Sequence, residues 1–142
     1  MSLITSTEDA ALLDAGRLAI ELAQRYRYST EHLVEPEATC RLLRQRSEEL
    51  NALTDRLGAF IRRSGLLPRE PDLEMSELRT LADQFNSWLD DEACSRLLER
   101  FAEGERNLLD TLTTARDGSD PERNRAIEQA RKDTQDFLSK LD

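Results

Sequence analysis

Any chemistry in this 142-residue chain has to come from a short list of side chains. The stretch Phe101-Ala-Glu-Gly-Glu-Arg-Asn-Leu-Leu-Asp-Thr-Leu112 reads as the middle of a helix. Yet Glu105 stands four residues after Phe101 and three before Leu108, on the stripe that continues to Leu112, where the pattern asks for a hydrophobe. Tyr26, Arg46 and Thr134 hold the same position in three other apolar stripes. An inward glutamate is a metal ligand, a proton-transfer group or half of an ion pair, because a buried charge without compensation is strongly unfavourable. Arg46 has the opposite charge, so one reading has Arg46 and Glu105 meeting inside the protein. Tyr26 or Thr134 would then take the remaining hydrogen bonds. A competing reading rotates the second helix, since Leu43, Ser47, Leu50, Thr54, Leu57 and Ile61 also make a stripe. That rotation would leave Arg46 at an edge, its stem on the core and its head in water.

Other candidates are more dispersed. Glu21, Glu48 and Glu105 are the carboxylates that could serve a hard cation such as Mg²⁺ or Ca²⁺. Glu21 lies one position off its seam and reads as solvent-facing, as glutamates usually are. His32 is the sole histidine, and its spacing from Glu31 and Glu35 does not converge ligands; it reads as a hydrated helix-end residue. Cys40 and Cys94 are far apart and form no CxxC motif. They read as small helical residues of a reducing compartment, with a disulfide as the alternative. Tyr26 and Tyr28 read as one core and one surface residue. No nucleophile elbow or Ser/His/Asp set is available. No catalytic residue and no cofactor are expected on these grounds.

The elements that must position these groups are helices. The chain is 38% hydrophobic, 35% charged and 5% aromatic, and nothing in it alternates with period two. Helices are expected at about 7–32, 36–64, 73–89, 91–116 and 121–141, within one domain over 1–142. Ser6 or Thr7 caps the first, Pro36 opens the second and Gly65 closes it, Gly118 closes the helix after 91, and Asp120-Pro121 starts the last. Gly58 and Gly104 sit within helices, each about 1 kcal/mol less favourable than Ala, and read as points of close helix approach. Short joints between helices one and two, and between the last two, make two antiparallel hairpins. The long stretch between the pairs makes a crossover with its own short helix. The fold expected is therefore all-α, a four-helix bundle of ferritin-like connectivity.

The formal net charge of −9 argues against a nucleic-acid partner. No window approaches the ~18 apolar residues of a membrane span, and the N-terminus lacks a signal-peptide pattern. A cytoplasmic location follows.

The run Leu18 to Pro68, the segment Leu78 to Leu89 with Trp88, and the motif Glu-Gly-Glu-Arg-Asn-Leu-Leu from Glu103 resemble the DUF2383 group of small bacterial ferritin-like proteins of unknown function. Shared features are a tyrosine late in helix one, an acidic-proline junction, an Arg- and Leu-rich second helix and a Gly-x-x-Pro exit. Working members of the ferritin-like fold bind two metals through glutamates and two Glu-x-x-His motifs. This chain has no Glu-x-x-His. The resemblance thus implies degenerate metal ligands and a non-catalytic bundle that acts through protein contacts, as a homodimer or a stress-associated partner protein. Leu81, Phe85 and Trp88 are the candidate interface. The alternatives are a carboxylate-bound di-iron or manganese oxidoreductase or metal store, and a helical chaperone.

Overall fold

The computed structural model describes residues 6–32, 37–71 and 91–141, the side chains of residues 32 and 91–94 excepted. Among them are four helices and no strand: α1 (Thr7–His32), α2 (Glu37–Arg63), α3 (Asp91–Thr114) and α4 (Pro121–Leu141). Pro36, the expected helix over 73–89, and Leu81, Phe85 and Trp88 lie outside the described residues. None of the described helices is long and apolar enough to cross a membrane.

The helix ends follow from local hydrogen-bond chemistry. Ser6 Oγ accepts from the Asp9 amide at 3.1 Å, with Glu8 and Asp9 in the positive first turn of α1. At the end of α2, Leu66 N–H bonds Ile61 O (3.1 Å) and Gly65 N–H bonds Arg62 O (3.0 Å), with Gly65 at φ 76°. This double closure needs a left-handed residue, which glycine adopts without a Cβ clash. Asp120 Oδ1 accepts from Arg123 N–H at 3.1 Å, and Pro121 follows in the first-turn position.

The end of α3 departs from the sequence pattern. The helix stops at Thr114 rather than Arg116, and Gly118 is not a left-handed cap, since Gly65 is the sole residue of positive φ among those described. The physical reason lies in the next helix: Arg123 Nε donates to the Ala115 carbonyl at 2.9 Å. A side chain supplies the donor that a glycine turn would have supplied through its backbone.

Contacts between named residues fix the helix directions. The Gly16 position faces Ile61 while Ser47 Oγ donates to Ala23 O, so α1 and α2 are antiparallel. Tyr26 meets Phe101 and Leu22 meets the Gly104 position, so α1 and α3 are antiparallel as well. Arg63 bonds Asp120 and Glu122, which sets the end of α2 beside the start of α4. Thus α1 and α4 run one way and α2 and α3 the other. Helix α1 packs on α2 and α3; α4 packs on α3 and more sparsely on α2. All four contribute to one apolar cluster, including Leu12 and Leu22, Leu50 and Leu57, Leu108 and Leu112, and Ile127 and Phe137. The arrangement is compatible with a four-helix bundle. Leu97 turns inward where the stripe named Leu98, which is half-buried.

Gly58 and Gly104, both within helices, differ. A Cβ at Gly104 would lie 2.8 Å from Leu22 Cδ2, inside the core, so α1 and α3 touch there. A Cβ at Gly58 would meet only the guanidinium of Arg62 on its own helix, at 3.3 Å, so helix approach does not explain that glycine. Gly58→Ala should therefore stabilise by about 0.5–1 kcal/mol through helix propensity alone. Gly104→Ala should lose that gain to overpacking of about 1–3 kcal/mol. Urea unfolding followed by circular dichroism measures both; a Gly104→Ala gain equal to that of Gly58→Ala would contradict the close contact.

Candidate functional site

One residue from each helix meets at the centre of the core. Tyr26 (α1), Glu105 (α3) and Thr134 (α4) are fully buried, and Arg46 (α2) is 2% exposed. Arg46 Nη2 donates to Glu105 Oε1 at 2.7 Å, and Nε lies 3.3 Å and 3.1 Å from Oε1 and Oε2. Tyr26 OH donates to Glu105 Oε2 at 2.7 Å. Arg46 Nη2 also donates to Thr134 Oγ1 at 2.9 Å, and that hydroxyl in turn donates a hydrogen bond to Ala130 O at 2.7 Å. The planar guanidinium fork suits a carboxylate approached from one side, a geometry that a lysine could not reproduce.

An aromatic shell surrounds these groups. The Tyr26 ring packs edge-on to Phe101 at 4.8 Å and tilted to Phe137 at 5.7 Å, and the Arg46 guanidinium lies 5.4 Å from the Phe137 ring centre. The low dielectric strengthens each polar contact and penalises any left unmade. Burial, then the adjacent Glu105 carboxylate, push the Tyr26 phenol well above its ordinary range. Burial alone would lower Arg46; its bonds to Glu105 outweigh this and hold it firmly charged.

The edge position does not describe Arg46. Both stripes of α2 turn inward, because Ser47 is buried too and bonds α1. Glu21 is likewise not solvent-facing: it is buried at 6% exposure, and Arg17 one turn earlier bonds both of its oxygens at 3.1 and 3.0 Å. Glu48 is exposed. Glu21, Glu48 and Glu105 do not converge, and no cluster of three or more His, Cys, Asp or Glu able to hold a metal occurs among the described residues. Tyr28 is half-buried against the core rather than on the surface. Cys40 is buried, which pushes its thiol up; the side chains of His32 and Cys94 lie outside the described set.

Sequence reasoning missed Arg123. At 2% exposure it bonds Ala115 O, Asp9 Oδ1 (2.8 Å) and Glu8 O (3.0 Å), joining the end of α3 to the starts of α1 and α4. The signal was present: stepping back four residues along the stripe of Ile127, Ala130, Thr134 and Phe137 lands on Arg123.

Removing one partner of the central pair strands the other, so Arg46→Met and Glu105→Leu should each destabilise by about 3–5 kcal/mol. The triple variant Tyr26→Phe, Arg46→Met, Glu105→Leu should recover most of that loss, because every stranded group is then apolar. Urea unfolding of singles and triple decides this, and simple additivity would refute it. A second outcome concerns alkaline pH. Because the Tyr26 phenol is raised in the folded state, its stabilising contribution is complete below about pH 10 and is lost as pH climbs towards the folded value. In a Tyr28→Phe background Tyr26 is the sole tyrosine, and tyrosinate absorbance should appear only together with loss of helical signal.

Compared with protein-family models, curated proteins and solved structures, the chain matches none.

Proposed function

We propose that the chain is a non-catalytic, ferritin-like four-helix bundle that works through protein–protein contacts, self-association as a homodimer being its simplest form. The helix directions support the connectivity. With α2 and α3 parallel, the stretch that joins them starts at one end of the bundle and finishes at the other, as a long crossover does. Two antiparallel hairpins, α1–α2 and α3–α4, complete that pattern.

The observation that carries the functional reading is the full engagement of Glu105. Its two oxygens take hydrogen bonds from Arg46 and Tyr26, at the midpoint where metal-binding members of such a fold place their ions. A cation there would have to displace a guanidinium of equal sign from a desolvated pocket. Arg46 supplies the compensating charge as a fixed part of the chain, and fixing helix register is the best-attested benefit of such a group.

Two measurements test the proposal. Wild type and Glu105→Gln, incubated with Fe²⁺ or Mn²⁺ and desalted, should both retain well under one ion per chain. Stoichiometric metal lost on the Gln substitution would overturn the reading. Sedimentation velocity across a concentration series should show a reversible dimer, and a chain monomeric throughout would remove the homodimer form.

A further inference from the structure

The sparse seam between α2 and α4 holds a cavity of about 230 Å³ lined by Arg46, Glu49, Ala52, Leu53, Arg56, Ala130 and Asp133. Its floor touches the central network, and its own polar groups are tied to one another only by a loose Arg46–Glu49 ion pair at 3.7 Å. Arg46 is 2% exposed and uses Nε and Nη2 for Glu105 and Thr134. Its Nη1 has only Glu49 Oε2 at 3.7 Å, beyond hydrogen-bond distance. Arg56 makes no hydrogen bond or ion pair among the described residues, and Asp133 engages one oxygen, with Gln129 Nε2 at 2.9 Å. Two cationic donors and two carboxylates therefore face one small space with capacity left over.

The mixture of signs selects the ligand class. A simple anion is repelled by Glu49 and Asp133, and a simple cation is repelled by Arg56 and leaves the free Nη1 donor of Arg46 unused, the Arg46 charge itself being offset by Glu105. A metal ion is not served, since no cluster of ligating groups forms. Both pairs are satisfied by a molecule that carries both charges a few bonds apart. The volume lies below the roughly 300–1,000 Å³ of sites for drug-sized ligands, so the occupant is small. Ala52, Leu53 and Ala130 supply apolar wall, and a second cavity of about 230 Å³ continues along the seam, sharing Glu49 and Asp133.

We propose that this seam cavity binds a small α-amino acid as its zwitterion, the carboxylate on Arg46 Nη1 and Arg56 and the ammonium on Glu49 and Asp133. An ammonium between the two carboxylates also relieves their mutual repulsion, which after burial contributes to holding Glu49 above the usual carboxylate range. The site is independent of the assembly reading above, and binding can succeed or fail whatever the oligomeric state.

The test is a nitrogen–proton correlation titration of the full chain with L-alanine, and separately with acetate and with methylammonium. L-Alanine should give saturable shifts centred on Ala52, Leu53 and Ala130, while each half-ligand alone binds far more weakly. Arg56→Gln and Asp133→Asn leave the central network untouched. Each should weaken L-alanine by roughly tenfold or more, the effect of losing one charge-assisted bond. Absence of saturable shifts, equal shifts from acetate or methylammonium alone, or unchanged affinity in both variants would each overturn the proposal.

Discussion

A carboxylate at the centre of an apolar core must be neutralised, and the rest of this structure is arranged around how that is done for Glu105. The charge cannot be solvated, and a proton would waste the guanidinium beside it. Each helix therefore brings one polar group to the same level: a phenol, a guanidinium, a carboxylate and a hydroxyl. Sliding any helix by one turn, about 5.4 Å, would separate partners and strand a charge in hydrocarbon. Leucines along the same stripes tolerate such a slide far better, because apolar contact is not directional. The hydrophobic cluster supplies most of the driving force, while the network specifies which of several similar packings is adopted.

Arg123 does related work at one end of the helices. It bonds the Ala115 carbonyl just past α3 while holding Asp9 and the Glu8 carbonyl of α1. One side chain thus ties the start of α1, 114 residues away at Asp9, to the turn between α3 and α4. The central network sets the level of the helices, and Arg123 sets where two of them begin and a third stops. The connection between α3 and α4 can then be a short polar turn, with Ser119 N–H bonded to Asp117 Oδ1 and the Asp117 amide bonded to Asn124 Oδ1.

Much of the helix punctuation was legible because caps are local: Ser6, Gly65 and Asp120-Pro121 each carry a signal within a few residues. The stripe positions of Tyr26, Arg46, Glu105 and Thr134 were legible for the same reason, as periodicity needs no tertiary information. Periodicity could not decide whether α2 turns Arg46 or Ser47 inward. The buried arc of that helix is wide enough for both, a property of its neighbours rather than of its own sequence. Glu21 was read as exposed because its burial depends on Arg17, and Arg123 was passed over because an arginine in a first turn looks like surface. The Gly118 reading failed because the groups it would have satisfied are met from another helix.

Two helices running each way carry a further consequence. Each α-helix bears the equivalent of about half a charge at either terminus. With α1 and α4 opposed to α2 and α3, these macrodipoles cancel along the long axis. Several termini are also screened locally, by Glu8 and Asp9 on α1, Glu122 on α4, and Arg62 and Arg63 on α2, whereas the last turn of α3 carries no basic residue. The net charge of −9 therefore creates a field set by side chains alone. An approaching charged molecule is then oriented by where the acids and arginines stand rather than by the direction of the helix axes.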